Sequence, residues 1–278
     1  MPFVTLTHPS AQNGKLYYED QGQGRPVVLI HGWPLSGKSW GEQIEPLVAA
    51  GFRVITYDRR GFGASCRPWD GYNYDAMAQD LNDLLQALNL HEVSLVGFSM
   101  GGGEVVRYLS TYGHERVLRA VLAAAVPPYL LKTQDNPDGA LTEAQVHEMQ
   151  AEFSKDRQAF LDDFTHKFFT PKGGQLAVSE EQRLAAKAIA MTALPKACVD
   201  CIAAFANTDF RADLPQVEVP VLVLHGDSDQ TVPLQASGQR AHAMLPNSQL
   251  QVIEGAPHGL NVSHAQAFNA ALIGFFQS

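Results

Sequence analysis

The chain has 278 residues, with 20 basic against 29 acidic side chains and a formal charge of −9. Hydrophobic residues at 45% and charged residues at 18% describe a chain able to bury a large core, not a disordered one. The acidic balance, with no basic run anywhere, excludes a nucleic-acid partner, because phosphate contacts need clustered Lys and Arg.

Met1 to Ser10 carries neither a basic leader nor an apolar stretch, so no secretory signal is expected. Strands are predicted at Phe3–Thr7 and Lys15–Asp20, joined as a hairpin through Asn13-Gly14, a dipeptide that accepts positive φ. Val27–His31, Arg53–Tyr57, Val93–Gly97, Ala120–Ala125, Val221–His225 and Gln249–Glu254 follow. These are apolar almost throughout, as strands buried on both faces should be. Helical patterns lie between them; Asp75–Leu90 sets Leu81, Leu84, Leu85 and Leu88 at helical spacing. The alternation predicts an eight-stranded, mostly parallel sheet covered by helices on both faces. Tyr129 to Leu214 breaks the rhythm with helical patterns only, at Thr142–Phe153, Asp156–Phe169 and Glu180–Met191. Residues 1–128 and 215–278 are therefore read as an α/β core, and residues 129–214 as a helical lid over the strand ends.

The longest apolar run, Ala120 to Val126, falls far short of the roughly 20 residues of a membrane span, so no membrane partner is expected. Cys66 stands alone, while Cys198 and Cys201 form a C-x-x-C inside a helical pattern. Residues i and i+3 share one helix face, and no further ligands are spaced for a metal. Reduced thiols and the missing signal point to the cytoplasm.

Four strand ends carry chemistry. The strongest is Gly97-Phe98-Ser99-Met100-Gly101, where an apolar strand runs straight into a helix. A serine on such a turn has a strained backbone, and its small neighbours let other backbone pass. The turn lifts Oγ clear of the sheet and aims the helix N-terminus at developing negative charge. His31-Gly32-Trp33-Pro34 ends the third strand. An acyl-transfer site needs two oxyanion donors, and the backbone N–H groups of Trp33 and Met100 are placed to supply them. Leu224-His225-Gly226-Asp227-Ser228-Asp229 and Gly255-Ala256-Pro257-His258 end two later strands. The chain order Ser99, Asp229, His258 suits a nucleophile, an orienting acid and a base. Asp227 lies closer to the strand and is assigned to the turn. His31 and His225 are read as structural, and the other seven histidines as surface or helix residues.

These segments, with Tyr57-Asp58-Arg59-Arg60-Gly61-Phe62-Gly63-Ala64-Ser65, resemble the α/β-hydrolase superfamily over nearly the whole chain. Within it the chain is similar to the cofactor-free bacterial haloperoxidases and aryl esterases. The resemblance implies Ser99 as nucleophile, Asp229 as acid, His258 as base and Trp33 with Met100 as oxyanion hole. It makes the Asp58-Arg59-Arg60 loop a structural turn beneath the site. The expected reaction is hydrolysis of a small carboxylic ester through an acyl-enzyme, with no metal or organic cofactor. If hydrogen peroxide replaces water, a peracid forms. Pro34 lacks an N–H and biases Trp33 toward an extended backbone, which is expected to favour peroxide. Pro34, Phe98, Phe164, Val232 and Leu234 are expected at the substrate pocket, where one or two lid phenylalanines wall an apolar acyl site. A lactonase or γ-lactamase/amidase would use the same triad, and a non-catalytic ligand receptor could keep it. Dehalogenases and epoxide hydrolases of this fold would carry Asp where Ser99 stands. Homo-oligomerisation is left open.

Overall fold

The computed structural model describes residues 2–7 and 14–278. Eight strands form one sheet in the order β1-β2-β4-β3-β5-β6-β7-β8. They are β1 (Phe3–Thr5), β2 (Lys15–Gln21), β3 (Arg25–Ile30), β4 (Phe52–Tyr57), β5 (Val93–Phe98), β6 (Val117–Ala123), β7 (Val221–Gly226) and β8 (Ser248–Ile253). β1 pairs antiparallel with β2 and β2 with β4; all pairings from β4 through β8 are parallel. Every predicted strand is present, the largest shift being β6, which begins at Val117 instead of Ala120. Asn13 of the expected hairpin turn lies outside the described residues.

Strand burial follows the apolar reading: β5 and β7 are buried at every residue. The helices outside the β6–β7 connection are α1 (Gly41–Ala49), α2 (Tyr74–Ala87), α3 (Met100–Tyr112), α8 (Gly238–Met244), α9 (Leu260–Ser263) and α10 (Ala265–Gln277). α1 packs with α10, and α2 packs with α3. α2 starts where Asn73 Oδ1 accepts the Ala76 N–H at 3.0 Å, a side-chain N-cap that satisfies one orphan donor.

Between β6 and β7 run α4 (Glu143–Lys155), α5 (Arg157–Phe169), α6 (Glu180–Ala190) and α7 (Pro195–Asn207). Local sequence sets their starts. Thr142 with Gln145 and Ser179 with Gln182 form reciprocal capping boxes at α4 and α6. Asp156 caps α5, and Pro195 stands at the first turn of α7, where its missing N–H costs nothing. No single helix among the described residues is long and apolar enough to cross a membrane.

Candidate active site

Ser99 is the single residue between β5 and α3, with φ +54° and ψ −117°. Positive φ is uncommon outside glycine and costs of order 1–3 kcal/mol, so surrounding bonds must hold it. The Ser99 N–H donates to the Ala123 carbonyl at 2.8 Å, and the Ser99 carbonyl accepts from Gly102 and Val126 at 3.0 and 3.2 Å. Gly101 is required by close approach, since a Cβ there would sit 2.5 Å from the Ile30 carbonyl oxygen of β3.

His258 lies in the loop between β8 and α9. Its Nε2 is 2.9 Å from Ser99 Oγ, and its Nδ1 is 2.6 Å from Asp229 Oδ2. A carboxylate only accepts, so Nδ1 carries the proton and Nε2 is left to accept the serine hydroxyl. Asp229 Oδ1 accepts the N–H groups of Thr231 and Val232, both at 2.8 Å. Burial pushes the Asp229 carboxyl up, but the adjoining His258 and His225 outweigh it and hold the group well below the usual carboxylate range. Ser99 is 7% exposed, His258 1% and Asp229 6%, so this chain of hydrogen bonds lies in a site with little water to screen it. Asp227 is exposed, and its Oδ1 accepts the Gly255 N–H at 2.7 Å; it ties two turns together and stays out of the relay.

The loop after β3 faces Ser99. A Cβ on Gly32 would lie 3.1 Å from Ser99 Cβ, and the Leu35 N–H donates to the Gly32 carbonyl at 3.0 Å. The Trp33–Pro34 peptide bond is cis. Among the described residues, neither the Trp33 nor the Met100 backbone N–H donates to a protein acceptor, so both are available to a bound oxygen. The Trp33 indole Nε1 donates to the Cys198 carbonyl at 3.1 Å. Its ring meets Phe164 and Phe205 edge-on, with centroids 5.2 and 5.7 Å apart. One side chain thus ties the β3 loop to α5 and α7.

A cavity of about 90 Å³ opens on Ser99 and His258, walled by Trp33, Val126, Leu130, Leu141, Met149, Phe164, Lys167, Phe205, Thr231 and Val232. Phe164 and Val232 stand in the wall as expected. Pro34, Phe98 and Leu234 are not among the residues that line it. Pro34 is buried in the tight turn after β3. Phe98 points beneath the site, its ring 5.2 Å from His258 and 6.1 Å from Trp40. Leu234 is buried in the short helical turn Leu234–Ala236. Leu130 and Leu141 escape sequence reasoning, because they sit in an irregular stretch where no period reports which way a side chain faces. An outer groove of about 550 Å³ between α4 and α5 shares Met149, Phe164 and Lys167 with the inner cavity.

Cys198 and Cys201 are buried on one face of α7, and burial pushes the Cys198 thiol up to about 12. Among the described residues no group of three or more His, Cys, Asp or Glu is clustered as a metal site.

Parallel sheet, serine turn and relay define the class: residues 25–265 match the α/β-hydrolase fold family, and the chain belongs to it. Its relatives narrow the position to the non-heme haloperoxidases of that family. A non-heme chloroperoxidase of Kitasatospora aureofaciens is 42% identical over 94% of this chain and 95% of its own. A bifunctional esterase/perhydrolase of Acinetobacter calcoaceticus is 38% identical over 95% and 96%. The crystal structure of a bromoperoxidase from Bacillus anthracis superposes with a TM-score of 0.96 at 52% identity, covering 100% of this chain and 99% of that one.

Proposed function

We propose that the protein is a serine esterase for small carboxylic esters that also forms peracids from hydrogen peroxide. The observation that carries this reading is the Ser99–His258–Asp229 relay at 2.9 and 2.6 Å, with two unengaged backbone N–H groups beside it. Ser99 Oγ attacks the acyl carbon while His258 Nε2 takes its proton. The carbonyl electron pair moves onto oxygen, where the Trp33 and Met100 N–H groups receive it. The pair returns, the C–O bond to the alcohol breaks, and His258 gives its proton to the departing oxygen. Water then attacks the acyl-serine, His258 accepts its proton and returns one to Ser99, and the acid leaves. Hydrogen peroxide in place of water gives the peracid with the same proton transfers. Relatives carrying esterase, perhydrolase and haloperoxidase names support both outcomes.

The acyl group stays bonded to Ser99 after the alcohol has gone, so the alcohol must lie on the side that opens outward. We assign the acyl group to the enclosed inner cavity and the alcohol to the outer groove, with α4–α7 as a lid over both. At about 90 Å³ the inner cavity is well below the roughly 300–1,000 Å³ of drug-sized sites, which favours acetyl to butyryl groups. p-Nitrophenyl acetate should give a burst of p-nitrophenol that Ser99→Ala abolishes, and acetate with peroxide should give peracetic acid. Absence of turnover across short-chain esters would overturn the reading in favour of a ligand receptor.

A further inference from the structure

We infer that His225 is a positioning residue for the acid of the relay: its Nε2–H holds the Val232 carbonyl and lies against Asp229, fixing the loop that presents the carboxylate to His258. The inference rests on the serine-esterase reading of the site.

His225 is the penultimate residue of β7 and has no exposed surface. Its Nε2 is 2.9 Å from the Val232 carbonyl oxygen and 3.4 Å from Asp229 Oδ2. Both neighbours are acceptors, so Nε2 carries the proton. Nδ1 is buried and meets no partner among the described residues. It faces Gly238, the first residue of α8, where a Cβ would lie 2.5 Å from it. A proton on Nδ1 would therefore be buried without an acceptor, which costs of the order of a lost hydrogen bond. The ring is held in the tautomer that carries its proton on Nε2.

The arrangement closes a small circuit. The Val232 N–H donates to Asp229 Oδ1 at 2.8 Å, while the Val232 carbonyl accepts from His225. Asp229 Oδ2 receives His258 at 2.6 Å and His225 at 3.4 Å. Among the described residues, these two histidines are the titratable groups that act most on Asp229, with backbone N–H groups of Thr231 and Val232 donating to its other oxygen. α8 offers His225 only the backbone of Gly238. The Nε2–H dipole lies beside Asp229 Oδ2 at 3.4 Å and offsets part of the negative charge on the oxygen that holds His258. Loss of that dipole would leave the carboxylate more negative and favour protonation of the group it holds. Val232 also lines the cavity, so the same clasp sets one pocket wall.

The test compares His225→Met, which fills similar volume without a donor, with His225→Gln, whose amide can donate to the same oxygens. In His225→Met the acid limb of the kcat/KM profile for p-nitrophenyl acetate should move up by roughly half a pH unit or more. His225→Gln should bring it back toward the original position. A purely packing role predicts lower thermal stability with the limb unmoved, and that result, or a limb moved to lower pH, would overturn the inference. If His225→Met does not fold, His225→Ala read against His225→Gln decides: equal acid limbs in the two reject donation as the operative feature. Ser99→Ala, assayed in parallel, tests the esterase reading by itself, since retained turnover there would point to another nucleophile.

Discussion

Arg59 and Glu104 form an enclosed ion pair, Nε to Oε2 at 2.8 Å, with side chains only 1% and 0% exposed. Glu104 belongs to α3, the helix that Ser99 opens, and it also accepts from the Tyr57 hydroxyl. Arg59 Nη2 donates to the His31 carbonyl at 2.8 Å, two residues before Trp33. The pair therefore cross-braces the two backbone segments that would carry the oxyanion donors. Removing one charge leaves the other buried and unpaired, which costs roughly 3–5 kcal/mol. Glu104→Leu should lose about that much in urea denaturation. Arg59→Met combined with Glu104→Leu should recover much of the stability but not kcat, because the brace on His31 is gone. Full recovery of kcat in the double variant would show that the pair serves stability alone.

Asp229 links protonation to folding. Its carboxyl is held below the usual range in the folded chain, so it binds a proton less readily there than when unfolded. The stability this brings is complete above the unfolded value of about 3.9 and is lost as pH falls through and below it. Asp229→Asn removes the titrating group and should be less stable than the original at pH 7, with the difference shrinking at pH 3. An unchanged difference at the two pH values would contradict the linkage. The same variant should lose on the order of 10⁴-fold in kcat, because an amide can hold His258 in the wrong tautomer.

The strands, and the meeting of Ser99, His258 and Asp229, were legible because strand ends are short-range features. Val93–Phe98 is apolar, Ser99 and its small neighbours form a recognisable turn, and Asp229 and His258 each follow a buried strand. The pocket wall was not legible in the same way. Phe98 was read toward the substrate, yet strand alternation places its ring under His258, and only the packed structure reveals which face of the sheet that is. Glu104 gave no signal either: a glutamate inside a helix is ordinarily solvated, and its burial follows from an arginine 45 positions earlier in the sequence. His225 was read as structural. Its contact with Asp229 depends on how the chain doubles back after β7, which residue type alone does not encode.

Gly101 and Gly274 make a matched pair for separating helix propensity from close approach. Alanine favours a helix interior over glycine by about 1 kcal/mol. At Gly274 in α10, an added Cβ meets nothing within 4 Å, so Gly274→Ala should raise Tm. At Gly101 the Cβ would meet the Ile30 and His31 carbonyl oxygens at 2.5 and 3.0 Å, and backbone can yield only by moving β3 or its loop. Gly101→Ala should lose about 1–3 kcal/mol from the overlap. Its kcat should fall further than its Tm suggests, because the displaced loop carries Trp33. Equal stabilisation at both sites would mean that α3 and β3 can separate freely.

Phe164 stands where the inner cavity and outer groove meet, since it lines both. Its ring is edge-on to Trp33 at 5.2 Å and parallel to Phe160 at 6.4 Å. Phe164→Ala removes the partition without touching Ser99, His258, Asp229 or the Trp33 and Met100 N–H groups. The half-buried position limits the stability loss to less than the roughly 3–5 kcal/mol of a fully enclosed phenylalanine. The preferred acyl chain should lengthen by about two carbons or more, each added CH₂ gaining up to about 0.8 kcal/mol of burial in the merged space. Activity on acetate esters should fall several-fold, because a small acyl group is no longer confined. The measurement is kcat/KM across p-nitrophenyl esters from acetate to octanoate. An unchanged chain-length optimum would mean that the acyl group lies elsewhere, and that the enclosed cavity receives the alcohol.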